Sequence, residues 1–168
     1  MNEQLVIMGV AGCGKSSLGA AVAQSRQLAL IEGDEHHSAL NLEKMRQGNP
    51  LTDADRSGWL RVLCEQLRAH PHGAVLTCSA LKRAYRERLR EASPRLRFVF
   101  LEIHRDQALA RVEARSAGHF FSASLVDNQF ATLEPPIGEP GVLRLDAALP
   151  LAQLQDDVVA WLNDKEHT

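Results

Sequence analysis

Several things are scarce in this sequence, and each scarcity closes off a class of protein. Its 168 residues hold three cysteines, Cys13, Cys64 and Cys78. With no C-x-x-C pair and an odd count, neither a disulfide framework nor a zinc site is expected, and the three read as small apolar fillers. Net charge is scarce too, because 19 Lys and Arg stand against 21 Asp and Glu, for a net charge of -2. Both signs are mixed along the chain, so it exerts no long-range attraction on polyanions; nucleic acid and membrane surfaces are excluded as main partners. Long apolar runs are also missing. The run over 5–10 is far too short for a signal segment or a spanning helix, and the residues before it, Met1-Asn2-Glu3-Gln4, carry no basic group. A cytoplasmic location is expected. No repeat, low-complexity tract or long linker divides the chain, so one domain over 1–168 is expected as well.

Short apolar runs at 5–8, 29–31, 75–78, 97–101 and 142–145 read as buried strands. Between and after them, 15–25, 41–47, 53–69, 82–92, 106–117, 124–133 and 151–163 carry helical spacing or helix boundary signals. Thr52 with Asp55 three residues on forms a capping box with Asp in place of Glu, which starts a helix near Asp53. The Pro- and Gly-rich stretch 133–141 is a loop. Alternation of buried strands with amphipathic helices predicts an α/β fold, a parallel sheet covered by helices on both faces.

Between the first strand and the first helix stands Gly9-Val10-Ala11-Gly12-Cys13-Gly14-Lys15-Ser16. It matches the phosphate-binding loop G-x-x-x-x-G-K-S/T in the structural context that its mechanism needs. The glycines let the backbone N–H groups turn inward to cradle phosphate oxygens at the positive end of the helix. Lys15 then reaches the β- and γ-phosphates, and the Ser16 hydroxyl faces Mg²⁺. Gly9, Gly12, Cys13, Gly14, Lys15, Ser16 and Ser17 are accordingly the expected nucleotide-binding set, with ATP and Mg²⁺ as cofactors.

The loop alone serves kinases, GTPases and ATP-driven motors alike. A GTPase would carry N-K-x-D to read guanine, and that string does not occur. A motor would end a hydrophobic strand in Asp-Glu, whereas the strand at 74–78 is followed by Ser79. In small metabolite kinases the needed carboxylates can follow the second strand, and here that strand runs into Glu32-Gly33-Asp34. Asp34 is placed to point into the crevice at the carboxyl ends of the strands, where it would orient an acceptor hydroxyl and take its proton. The alternative is that Asp34 caps the next helix. Glu32 either faces Mg²⁺ through water or turns into an ion pair.

From 31 onward the chain reads Ile-Glu-Gly-Asp-Glu-His-His, then Asn41, Lys44-Met45, Gly48, Pro50-Leu51-Thr52-Asp53-Ala54-Asp55-Arg56 and Trp59-Leu60. This closely resembles the gluconate kinase family, whose pattern runs EGD-x-x-H, N-x-x-K-M-x-x-G-x-P-L-T-D-x-D-R and W-L. The likeness continues at 78–86, at Gly118-His119-Phe120 and at 129–134, spanning nearly the whole chain in order. Two positions depart from the family pattern: Phe121-Ser122, where Pro is common, and Asn128, where Ser is usual. The resemblance implies a P-loop NTPase three-layer fold of the nucleoside- and shikimate-kinase-like kind, with a mobile lid near 115–135. It also implies ATP-dependent phosphorylation of D-gluconate to 6-phosphogluconate by a homodimer.

An acid acceptor needs cations. Arg56, which follows the Pro-Leu-Thr-Asp turn, is the first choice for the carboxylate, since a guanidinium binds it through two parallel hydrogen bonds. Lys44, Lys82, Arg86 and His37 are further substrate-binding candidates, each of the charged ones equally readable as a solvated face. Arg111 and Arg115 lie four apart on one helix face leading into the lid. Arg111 is expected over the adenine and Arg115 at the transferring phosphate, unless they pair with Asp106 and Glu113 on the surface. His119 reads as lid packing, and Trp59, Phe98 and Phe100 as core. Rivals to this reading are a shikimate-kinase-like enzyme and a nucleotide-dependent binding module without turnover.

Overall fold

In the computed structural model, which describes residues 3–115 and 122–164, five strands form one sheet. They are β1 (Glu3–Met8), β2 (Ala29–Glu32), β3 (Gly73–Thr77), β4 (Arg97–Glu102) and β5 (Val142–Asp146), in spatial order β2-β3-β1-β4-β5, and every pairing is parallel. A parallel sheet flanked by helices buries both faces of its central strands, so these carry continuous apolar runs. Val6, Ile7 and Met8 are wholly buried, as are Ala74, Val75 and Leu76 on β3 and Phe98 and Val99 on β4. Strands β1 and β4 outrun the sequence expectation by two residues and one, because polar Glu3, Gln4 and Glu102 continue the ladder beyond the apolar stretch, while β3 runs over 73–77 where 75–78 was expected.

Helices α1 (Lys15–Arg26), α2 (Ala39–Arg46), α3 (Asp53–Ala69), α4 (Arg83–Ala92), α5 (Arg105–Arg115), α6 (Ala123–Thr132) and α7 (Leu151–Asn163) complete the order, with a short 3₁₀ turn at Gly33–His36. Helix α1 packs against β3 and α7, α3 against α4, and α5 against α6. The Thr52 capping box forms as expected, with the Thr52 hydroxyl accepting from the Asp55 N–H and the Asp55 carboxylate from the Thr52 N–H. Helix α2 starts two residues earlier than its apolar spacing implies, because Ser38 caps it by accepting from the Asn41 N–H. The stretch 133–141 is a loop, as read. Of the expected lid, 116–121 lie outside the described residues, and with them His119; the remainder is α6 and that loop.

All strands run the same way, so all their carboxyl ends lie along one edge of the sheet. Register levels them: Thr77 of β3 pairs with both Ile7 of β1 and Glu32 of β2. The phosphate loop after β1, the turn after β2 and Cys78-Ser79 after β3 therefore leave the sheet side by side, which creates a crevice there. The three cysteines are buried and unpaired. No helix among the described residues is long and apolar enough to cross a membrane.

Candidate active site

The phosphate loop is held in shape from beneath and from both sides. Gly9 has φ +145°, and a Cβ there would lie 2.8 Å from both Cys13 Sγ and the Leu101 carbonyl, so only glycine lets the chain turn off β1. The Gly9 N–H donates to the Ser79 carbonyl (3.3 Å), tying the loop to the end of β3. Lys15 reaches back over the loop, its Nζ donating to the carbonyls of Gly9 (2.9 Å) and Val10 (3.1 Å). Arg111 clasps the other flank, donating to the carbonyls of Gly12 (3.2 Å), Cys13 (3.4 Å) and, beyond β5, Ala147 (2.9 Å). Cys13 packs inward, and Ser17 is exposed on the first turn of α1, away from the cleft.

The turn after β2 depends on a second glycine. A Cβ at Gly33 would come within 2.2 Å of the Thr77 carbonyl, and the Trp59 indole N–H donates to the Gly33 carbonyl at 2.7 Å. Strand β3 and helix α3 thus pin this turn, and Asp34 projects from it. Asp34 does not cap α2, since Ser38 does. Glu32 makes no ion pair among the described residues. Its Oε2 accepts from the Ser16 hydroxyl (3.1 Å) and the Thr77 hydroxyl (2.6 Å), which brings two hard oxygens together beside the phosphate loop.

One cleft of about 310 Å³ joins the two halves, with Lys15, Ser16, Asp34, His37, Arg56 and Arg115 all on its wall. Arg56 is buried, donating through Nη1 to the Leu51 carbonyl (2.9 Å) and toward the Tyr85 hydroxyl (3.4 Å). Nε and Nη2 have no protein partner among the described residues. His37 stacks on Trp59 with ring centroids 4.2 Å apart. Burial first, and the Arg56 charge after it, push the His37 imidazole down to about 4 against the opposing pull of Asp34, so it is neutral at pH 7. A neutral imidazole both gives and accepts hydrogen bonds, which suits hydroxyl recognition.

Three expected substrate cations lie elsewhere. Arg86 is completely buried, with Nε and Nη2 on Glu139 (3.0 and 2.6 Å), Nη1 on the carbonyls of Ala80 (2.7 Å) and Leu81 (3.2 Å), and Nη2 also on the Glu134 carbonyl (2.8 Å). The expectation that it binds substrate is corrected: every donor group is spent on fastening the 134–139 loop to the end of β3. Burial opposes ionisation of Glu139, but Arg86 and Arg90 outweigh it and hold its carboxyl below the usual range. Lys44 pairs with Asp55 at 2.5 Å and Lys82 with Asp53 at 2.9 Å, both off the cleft wall. Their ion pairs brace the turn at 52–55 that carries Arg56. Neither Arg111 nor Arg115 pairs with Asp106, whose partner is Arg105.

Four cleft-side residues escaped the reading from residue chemistry. Trp59 was read as core, and it is buried, yet it also lines the cleft and holds both Gly33 and His37. Its place three residues after Arg56, on the same face of α3, was the available signal. Gln129 and Asn128 line the cleft from α6, and Gln129 Oε1 accepts from the Ala11 N–H at 2.7 Å. Thr77 supports Glu32 from the end of β3. Nothing in an isolated strand or helix marks these contacts.

The fold, the phosphate loop and the carboxylate-lined cleft beside it define a P-loop kinase. Residues 5–136 match the AAA domain family model. The chain is 46% identical over 145 residues to a gluconokinase of Gluconobacter oxydans, covering 84% of this chain and 80% of that protein. It is 41% identical over 150 residues to the thermoresistant gluconokinase of Escherichia coli, covering 87% and 85%. The crystal structure of a gluconokinase from Sinorhizobium meliloti superposes with a TM-score of 0.88 at 43% identity, covering 96% of this chain and 91% of that one. An APS kinase of Mycobacterium tuberculosis, at 20% identity and a TM-score of 0.69, shares the fold. The chain belongs to the gluconokinase family.

Proposed function

We propose that this protein transfers the γ-phosphoryl group of ATP to a hydroxyl of D-gluconate, giving 6-phosphogluconate. The observation that carries the reading is the single cleft that joins Lys15 and Ser16 of the phosphate loop to Asp34, His37 and Arg56 of the acceptor side. Arg56 takes the gluconate carboxylate through the nitrogens left over from Leu51 and Tyr85. His37, neutral and fixed on Trp59, binds hydroxyls along the sugar acid. Asp34 orients the terminal hydroxyl and accepts its proton as the oxygen–γ-phosphorus bond forms and the bond from that phosphorus to the β-γ bridging oxygen breaks. Lys15 leaves the loop carbonyls for the phosphates, and Arg115 reaches the transferring group, each balancing charge that spreads over the phosphoryl oxygens.

The all-oxygen pair of Ser16 and Glu32 fits Mg²⁺, a hard cation that takes a few protein oxygens and keeps several waters. Held by these two oxygens when ATP is bound, the ion would supply positive charge that offsets the charge on the phosphates. Arg111, already bridging the phosphate loop and Ala147, is positioned for the adenine side. The unit acts as one kinase domain in the cytoplasm, as a homodimer, with 115–135 serving as its lid.

A coupled assay of ADP release across a panel of aldonic acids, shikimate and nucleoside monophosphates tests the reaction. Gluconate-dependent turnover is expected, and acceptor-independent or shikimate-dependent turnover overturns it. Arg56→Lys should raise the KM for gluconate far more than that for ATP, because a point charge cannot reproduce the two-pronged contact. Equal movement of the two constants would place Arg56 outside the acceptor site.

A further inference from the structure

Helix α6 touches both substrates' halves of the cleft. On the acceptor side Leu125 is buried in a small cluster with Met45 and Leu51, apart from the main core. One turn on, on the same face, Gln129 accepts the Ala11 N–H of the phosphate loop at 2.7 Å. The contact joins residues 118 positions apart in sequence. With its oxygen committed to Ala11, the Gln129 amide has its two N–H donors without a protein partner among the described residues, at the wall of the cleft. The carboxyl end of α6 is anchored where the Glu134 N–H donates to the Leu81 carbonyl (2.7 Å), so the helix is tethered at that end and contacts both half-sites along its length.

We propose that Gln129 is a positioning residue that couples the two substrates. Occupancy of the acceptor side restrains the Met45-Leu51 cluster and so seats α6, and a seated α6 fixes the phosphate loop through Ala11. By linkage the effect is reciprocal: nucleotide on a fixed loop tightens the acceptor side by the same factor. The inference rests on the proposed reaction for the identity of the acceptor. It assigns Gln129 a role that neither phosphate chemistry nor carboxylate recognition requires.

The test measures gluconate affinity by calorimetry with and without a non-hydrolysable ATP analogue and Mg²⁺, on the wild type, Gln129→Met and Gln129→Glu, with melting temperatures alongside. Wild type should bind gluconate more tightly when the analogue is present. Gln129→Met keeps the shape and loses the acceptor, so this tightening should fall by roughly fivefold, the effect of one ordinary hydrogen bond. The Ala11 amide should exchange its hydrogen faster at an unchanged melting temperature. Gln129→Glu keeps an acceptor for Ala11 and should retain the coupling, while its charge beside the phosphates weakens the analogue itself. Unchanged coupling in Gln129→Met overturns the proposal, and so does equal loss in both variants. Wild type that neither binds gluconate nor turns it over defeats the proposed reaction instead, and the inference with it.

Discussion

The donor and acceptor halves of the cleft are built by different means. The donor half is backbone: a tight turn whose N–H groups and glycines sit on the wholly buried end of β1, inside the main core. The acceptor half is side chains on and just after a 3₁₀ turn and on α3, steadied by ion pairs and by a satellite cluster of Met45, Leu51 and Leu125. A phosphate is the same in every nucleotide, so a backbone cradle serves any member of the class. An acceptor must be told from other small acids, and that demands replaceable side chains on elements that tolerate change.

Four substitutions press on this contrast. The largest effect is expected on the donor side, where Lys15→Ala removes the side-chain amine that lies over the cradle and should lower kcat by roughly 10³-fold. Its fold should survive, since the Lys15 amine spans groups of its own loop, the carbonyls of Gly9 and Val10 and the Cys13 sulfur. A melting temperature near that of wild type with kcat collapsed is the outcome to look for; wild-type kcat would end the phosphate-loop assignment.

Arg86→Met sharpens the line between site and scaffold. Removing one member of a buried ion cluster costs roughly 3–5 kcal/mol, so urea unfolding should shift strongly while the KM for gluconate holds. A specific rise in that KM would return Arg86 to the acceptor site. Asp34→Asn should cut kcat by roughly 10²-fold with melting temperature and ATP affinity near wild type, because the helix-capping role belongs to Ser38. Nearly unchanged kcat rejects Asp34 as the base.

The smallest effect concerns protons. His37 sits near 4 in the folded chain against 6.5 when unfolded. Between those values the unfolded state binds the extra proton, so His37 contributes stability that is complete above about pH 6.5 and is lost as pH falls toward 4. Its share is roughly 1–3 kcal/mol. Unfolding free energies of His37→Gln should show that much less decline over the window, and an identical decline would mean the ring is not held neutral by its burial on Trp59.

The five strands, the helix of Asp53–Ala69 with its capping box and the phosphate loop were legible because each is written in consecutive or helically spaced residues, and local sterics and hydrogen bonding act over that range. That Asp34 and Arg56 would line the cleft was legible for a related reason, as each stands beside a turn that points it. Arg86 was not. Its motif neighbours suggested the cleft, yet Glu139, 53 positions away, claims its guanidinium. Trp59 is core, as expected, but its contact with Gly33 and that of Gln129 with Ala11 were missed for the same cause, since they cross 26 and 118 positions. The sequence by itself determined the order of elements, the phosphate cradle and the chemistry on offer. Only the tertiary structure decided which cations face the cleft and which are spent holding it together, because a charge's role depends on the partner within hydrogen-bond reach, and that partner is set by the packing of elements distant in the chain.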